Sequence, residues 1–279
     1  MRLGQTKART DSDDSRWGYI LGWILTPLQL IVFSAVLCIF HPLQMLARVF
    51  GYQAHKKTVD YMCLFLLASL RIVGTKYKMV RKHEIPAGVP IVFVSNHQSM
   101  YDIPIYSWFF KEFHCKFIAK IELGKNLPSV SYNLRHGGSI LIDRSNPRQA
   151  LPEIKKFGQY IEQNRYAACI FTEGTRARTG IMRHFKPSGF TAMLKEMPSA
   201  VVVPVVIDGS WKLLRHKLRP IPFGTLVCFT SLAPIHQHEL SAQEILAQAE
   251  QAIRSELGCF ADGDLAAQQG QVESAATLK

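Results

Sequence analysis

The sequence predicts an α/β fold: a largely parallel central sheet flanked by helices, preceded by an N-terminal membrane-associated helical segment. Three observations predict it. Beyond residue 75, short and nearly continuously apolar runs alternate with amphipathic stretches, the pattern of buried parallel strands joined by crossover helices. Residues 17–47 contain no Lys, Arg, Asp or Glu, a run longer than the ~20 apolar residues that cross a bilayer core. The chain has 279 residues, 48% apolar and 19% charged, enough for a large buried core and unlike a disordered or disulfide-scaffold chain.

Four stretches follow from this: a basic arm (1–16), membrane-associated helices (17–75), an α/β domain (76–260) and a disordered Ala/Gln/Gly-rich tail (261–279). The first apolar run is too long for a signal-peptide core and lacks a small-residue cleavage site. Pro27 and Pro42 are places where it would kink or divide. The second block, Tyr61 to Val73, is bounded by Asp60 and interrupted by Arg71, which is short for a span and fits an interfacial or re-entrant helix. Arg2, Lys7, Arg9 and Arg16 before the blocks are diluted by Asp11, Asp13 and Asp14, whereas Lys76, Lys78, Arg81 and Lys82 after them are not. The positive-inside tendency then places the rest of the chain on the cytoplasmic side, whether the N-terminus crosses or returns.

Strands are expected at Pro90–Ser95, Lys116–Ala119, Ser139–Ile142, Ala167–Thr172, Val201–Ile207 and Thr225–Phe229. Helices are expected at Ile103–Lys111, Pro147–Asn164, Phe190–Glu196 and Leu240–Leu257. In the second of these, Leu151, Ile154, Phe157 and Ile161 form the apolar stripe. The six cysteines are scattered in apolar surroundings and read as reduced and buried, with no zinc-type pair. A net charge of +12 points to anionic partners: phosphate esters, acidic lipid or nucleic acid. No helix-turn-helix, RNA-binding aromatic pair or zinc finger supports nucleic acid.

The chemistry-bearing residues sit where predicted strands end, the place where open α/β sheets bind ligands. His97 and Asp102 follow one strand. The spacing alone is weak, for His55 and Asp60 share it, but those lie between the apolar blocks. A carboxylate at Nδ1 fixes the imidazole tautomer and leaves Nε2 as a base. Glu173, Gly174, Thr175 and Arg176 follow another strand, and Asp143 and Arg144 a third; guanidinium forks and a permissive glycine suit phosphate oxygens. From Arg176 to Arg219 there are nine Lys/Arg against Glu196 and Asp208. No Gly-x-Ser-x-Gly elbow is present and no Ser or Cys has the setting of an activated nucleophile, so His97 would act directly on a substrate hydroxyl. A Ser or Cys hydrolase using Ser99 or Cys169 and a non-enzymatic basic membrane protein are the rival readings. His97, Asp102 and Glu173 lack a second histidine at ligand spacing, so no metal is expected.

His97-x4-Asp102, Gly138 to Arg144, Glu173-Gly174-Thr175-Arg176 and Val203-Pro204-Val205, with Lys120 to Pro128 between the first two, resemble the ordered blocks of the glycerolipid (lysophospholipid) acyltransferase family. The spacing is similar to that of 1-acylglycerol-3-phosphate acyltransferases. The resemblance implies His97 as general base with Asp102 as its partner, and Arg144, Glu173, Gly174, Thr175 and Arg176 around the acceptor phosphate. It also implies Val203 and Pro204 shaping the acyl pocket, and makes Lys120 a candidate contact for substrate or the thioester oxyanion. The co-substrates would be a lysophospholipid and acyl-coenzyme A or acyl carrier protein, with no bound cofactor. Two departures, Thr172 where many members have Pro, and Pro187-Ser188 delaying the glycine after Lys186, leave the acceptor headgroup open.

Overall fold

The structure, a computed structural model, describes residues 16–238 and 240–258; most of the expected basic arm and all of the expected tail lie outside them. Seven strands form one sheet: β1 (Lys76–Arg81), β2 (Ile91–Ser95), β3 (Lys116–Lys120), β4 (Ile140–Ile142), β5 (Ala167–Phe171), β6 (Val201–Asp208) and β7 (Leu226–Ser231). Their order is β1-β7-β6-β2-β5-β3-β4, parallel at every pairing except β6 with β7. The helices are α1 (Arg16–Val49), α2 (Tyr52–Ser69), α3 (Asp102–Phe109), α4 (Val130–His136), α5 (Pro147–Asn164), α6 (Pro187–Leu194) and α7 (residues 242–258).

The central strands β2, β5 and β6 are almost wholly apolar because both faces are covered. Val92, Val94, Val202 and Val206 pack with Phe157, Ile161, Phe190, Met193 and Ile253 of α5, α6 and α7. Ile91, Phe93, Val203, Val205 and Ile207 face the other way, onto Ile105 and Tyr106 of α3 and onto Leu67, Leu70 and Val73 at and just after the end of α2. The alternation along each strand therefore serves two cores. α5 begins at an Asn146 cap whose side chain accepts from the Gln149 N–H, with Pro147 in its first turn. Its stripe is buried except Leu151, whose place is taken by Ala150.

α1 runs unbroken through Pro27 and Pro42. Its protein-facing positions include Gly22, Thr26, Gln29 and Gln44, while Ile24, Leu28, Ile31, Ile39 and Leu46 point outward. Leu25, Phe33 and Val36 also pack inward, so α1 meets the protein with small, polar and apolar groups while its opposite flank exposes large apolar ones, the surface expected of a helix lying against lipid. Cys38 is exposed on this helix, unlike the buried Cys63 and Cys169. α1 is fastened along its length. The Thr26 hydroxyl accepts from the Ile221 N–H, Gln29 donates to Ser69, Ser129 donates to the Leu37 carbonyl, and Arg48 donates to the His136 carbonyl.

Candidate active site

β2 ends at Ser95, and the chain turns at the carboxyl end of the sheet into α3. Asn96 holds the turn to β6, donating to the Ile207 carbonyl (2.7 Å) and accepting from the Ile207 N–H (2.8 Å). Asp102 opens α3 fully buried. Its Oδ2 accepts from His97 Nδ1 (2.8 Å), Gln98 N–H (2.8 Å) and Ser99 N–H (2.9 Å), and its Oδ1 accepts from the Ser210 hydroxyl (2.6 Å). An acceptor-only carboxylate places the imidazole proton on Nδ1 and leaves the Nε2 lone pair free. His97 retains 15% side-chain exposure against 0% for Asp102, so the base is reachable and its partner is not. The ring stacks on Phe171, centroids 4.0 Å apart and planes 19° from parallel, which fixes its plane.

Glu173 faces the protein backbone. It is buried, with Oε1 accepting from the His97 N–H (2.7 Å) and Oε2 from the Arg183 N–H (2.8 Å), while the Ala177 N–H donates to the His97 carbonyl (2.7 Å). Both of its oxygens are thus taken by backbone donors, and it ties the loop after β5 to the His97 turn. Burial pushes its pKa up to about 7 against the pull of the two N–H groups.

Arg144, beyond β4, donates Nη1 to the Gly174 carbonyl (2.6 Å) and Nη2 to the Ile118 carbonyl (3.5 Å), so part of its fork holds the loop in shape. Gly174 sits at φ 73°, a conformation that favours glycine. Thr175 and Lys120 are exposed and Arg176 half-buried, with no side-chain hydrogen bond or ion pair among the described residues. The parallel strands bring Lys120, Arg144 and Arg176 to the same end of the sheet as His97. Val203 and Pro204 lie in the buried middle of β6, Val203 within the core on the α3 side of the sheet. Pro204 falls between the Val202–Ile235 bridge and the ladder that begins at Val205–Ser231, where its missing N–H costs no bond.

Ser99 and Cys169 are both buried, Cys169 in mid-strand and Ser99 accepting from the Tyr101 N–H, so neither is set up as an exposed nucleophile. Ser210 was not singled out from sequence, although it follows β6 as His97 follows β2. Lys186 is the other omission, and it lies against Gly174.

Residues 76–208 match the acyltransferase family model. The 1-acyl-sn-glycerol-3-phosphate acyltransferase of Saccharomyces cerevisiae (strain ATCC 204508 / S288c) is 26% identical over 220 residues, 77% of this chain and 70% of the relative. That of Limnanthes douglasii is 28% identical over 159 residues, 55% of this chain and 53% of the relative, so the chain spans about half of it. The solved 1-acyl-sn-glycerophosphate acyltransferase of Thermotoga maritima has a TM-score of 0.67 at 21% identity, covering 87% of this chain and 97% of that one, a likeness of fold.

Proposed function

We propose that this chain, which belongs to the acyltransferase family through residues 76–208, moves a fatty acyl group from an acyl thioester to the free hydroxyl of 1-acylglycerol-3-phosphate, giving phosphatidic acid. The observation that carries the reading is the His97 Nδ1–Asp102 bond of 2.8 Å, with Nε2 open beside the cationic strand ends. Nε2 takes the proton of the acceptor hydroxyl as its oxygen attacks the thioester carbonyl. The tetrahedral intermediate then expels the thiolate, which recovers the proton from the imidazolium. The new ester C–O bond replaces the C–S bond, and His97 returns to its starting form without a covalent enzyme intermediate. Coenzyme A or acyl carrier protein is the thiol carrier, and Arg144, Gly174, Thr175 and Arg176 form the acceptor phosphate site, with Lys120 beside it.

The outward apolar face of α1 sits in the bilayer and the α/β domain on its cytoplasmic side, in keeping with the basic residues Lys76, Lys78, Arg81 and Lys82. Met100, in the turn after His97, and Ile121, Leu123 and Leu127, beyond the carboxyl end of β3, expose further apolar surface. Tyr101 and Ser129 in these loops touch Phe33 and Leu37 of α1. An amphiphile entering from lipid would reach His97 along this edge.

The test is transfer from acyl-coenzyme A to lysophosphatidate in vesicles, with phosphatidate identified by mass. His97→Ala is expected to lower turnover by ~10²–10⁴ while membrane binding is retained. Undiminished turnover would remove His97 as the base.

A further inference from the structure

At the carboxyl ends of the parallel strands, Lys120, Arg176 and Lys186 have no ion pair among the described residues. Glu173 is the carboxylate of the loop after β5, and both of its oxygens are taken by backbone N–H groups. Arg144 donates to the carbonyl of Gly174. A second cation meets the same residue: a Cβ on Gly174 would lie 3.5 Å from both Cδ and Nζ of Lys186, so the lysine side chain runs across this glycine. Lys186 is exposed, and its ammonium has no hydrogen bond or ion pair among the described residues.

The backbone holds it there. The Lys186 N–H donates to the Thr172 carbonyl at 2.8 Å, at the start of the turn that Gly174 completes. Pro187 follows and opens α6, and a residue before proline is confined to the extended region, where Lys186 lies at φ −96°, ψ 118°. The Pro187-Ser188 pair that departs from the family pattern thus fixes the entry of Lys186 to the site.

We propose that Lys186 reads the second negative charge of a phosphate monoester, and so selects an acceptor lysolipid with a free terminal phosphate over one whose phosphate is a diester. This rests on the acyltransferase reading above. A monoester carries about −1.5 to −2 at pH 7 and presents three terminal oxygens, whereas a diester carries one charge and presents two. A guanidinium fork such as that of Arg176 matches two oxygens, and the third takes a point-charge donor, which is what an ammonium provides. With Arg144 partly committed to Gly174, Lys186 is the ammonium that crosses this glycine, and its charge, like that of Arg176, is wholly available.

The experiment compares wild type, Lys186→Met and Lys186→Arg in vesicles, measuring KM for lysophosphatidate, lysophosphatidylglycerol and acyl-coenzyme A. Lys186→Met keeps the apolar stem and removes the charge. Its KM for lysophosphatidate should rise ~10-fold, with the KM for lysophosphatidylglycerol and the thioester within about twofold. Lys186→Arg should recover most of the loss. Equal rises for both lysolipids, or no rise for either, would overturn the proposal, and an unchanged melting temperature in Lys186→Met makes a structural explanation untenable. Wild type that acylates neither lysolipid would instead overturn the acceptor reading, and the proposal with it.

Discussion

Asp102 takes four donors on two oxygens, and only one of them is the imidazole. The other three, from Gln98, Ser99 and Ser210, hold the carboxylate still while His97 cycles its proton. Glu173 does the same for the backbone of His97, and its buried position has a measurable signature. Its folded pKa is raised from an ordinary value of 4.5 to about 7, so between these values the folded chain keeps a proton the unfolded chain has lost. Stability therefore falls as pH rises across that interval and levels off above 7. Glu173→Gln removes this contribution but sets an amide NH₂ against one of the two backbone donors, at a cost of ~1–3 kcal/mol. Urea unfolding of both proteins at pH 5, 6, 7 and 8 separates the effects. The advantage of wild type should shrink steadily up to about pH 7 and then stay constant. A constant difference from pH 5 upward would mean that Glu173 is ionised throughout.

Among the elements, those buried on both faces were legible in the sequence, since apolar runs of five to eight residues between turns admit little else. α5 was legible to its ends, because its cap, first-turn proline and stripe agree. β1 was missed: Lys76-Tyr77-Lys78-Met79-Val80-Arg81 is a half-exposed edge strand, and its alternation of basic residues reads as a flank. α4 is only seven residues long and carries no stripe of its own. In the site, the His97 and Arg144 turns were visible by following strand ends, but the inward orientation of Glu173 was not, because it depends on which backbone donors the fold brings near. Lys116 is a similar case. It opens β3 only 4% exposed, with Nζ donating to the Tyr52 hydroxyl (2.9 Å) and facing the rings of Tyr52 (4.8 Å) and Tyr166 (5.3 Å), which joins the first turn of α2 to the sheet. Burial lowers its pKa from 10.5 to about 8. The unfolded chain then holds the extra proton between these values, so this group's contribution to stability rises as pH increases from about 8 to about 10.5. Lys116→Met should abolish that rise and be neutral or stabilising at pH 7, because a charge is no longer desolvated. Melting temperatures from pH 7 to 10.5 check it; a variant several degrees less stable at pH 7 would show that the ring-face and hydroxyl contacts outweigh the desolvation.

For the whole molecule, the governing fact is that α1 packs on the protein with one side and exposes large apolar side chains on the other. Its 34 residues reach ~50 Å, more than the ~30 Å of hydrocarbon in a bilayer, yet contacts with the α/β domain recur from Tyr19 on His216 to Arg48 on His136. A helix passing end-on through the bilayer would drag those polar contacts into hydrocarbon, and on that ground we propose that α1 meets lipid with its outer flank. Deleting residues 1–73 would not test this cleanly, because Leu67, Leu70 and Val73 are core residues whose loss opens the sheet to water. Substitution of the outer flank does. Ile24, Ile31 and Ile39 are 65%, 66% and 59% exposed, so Lys at these positions leaves the packing intact while each adds ~2–3 kcal/mol against insertion. The triple variant should melt like wild type, leave vesicles on flotation, and lose at least ~10-fold in activity on long-chain lysophosphatidate, whose transfer through water costs ~0.8 kcal/mol per CH₂. Activity on a short, soluble acceptor should change little, since His97, Asp102 and the cationic loop are untouched. A variant that still floats with vesicles would place the membrane contact elsewhere. One that is released yet equally active on long-chain acceptors would show that the substrate arrives through water, and the apolar edge beside His97 would then have no part in its entry.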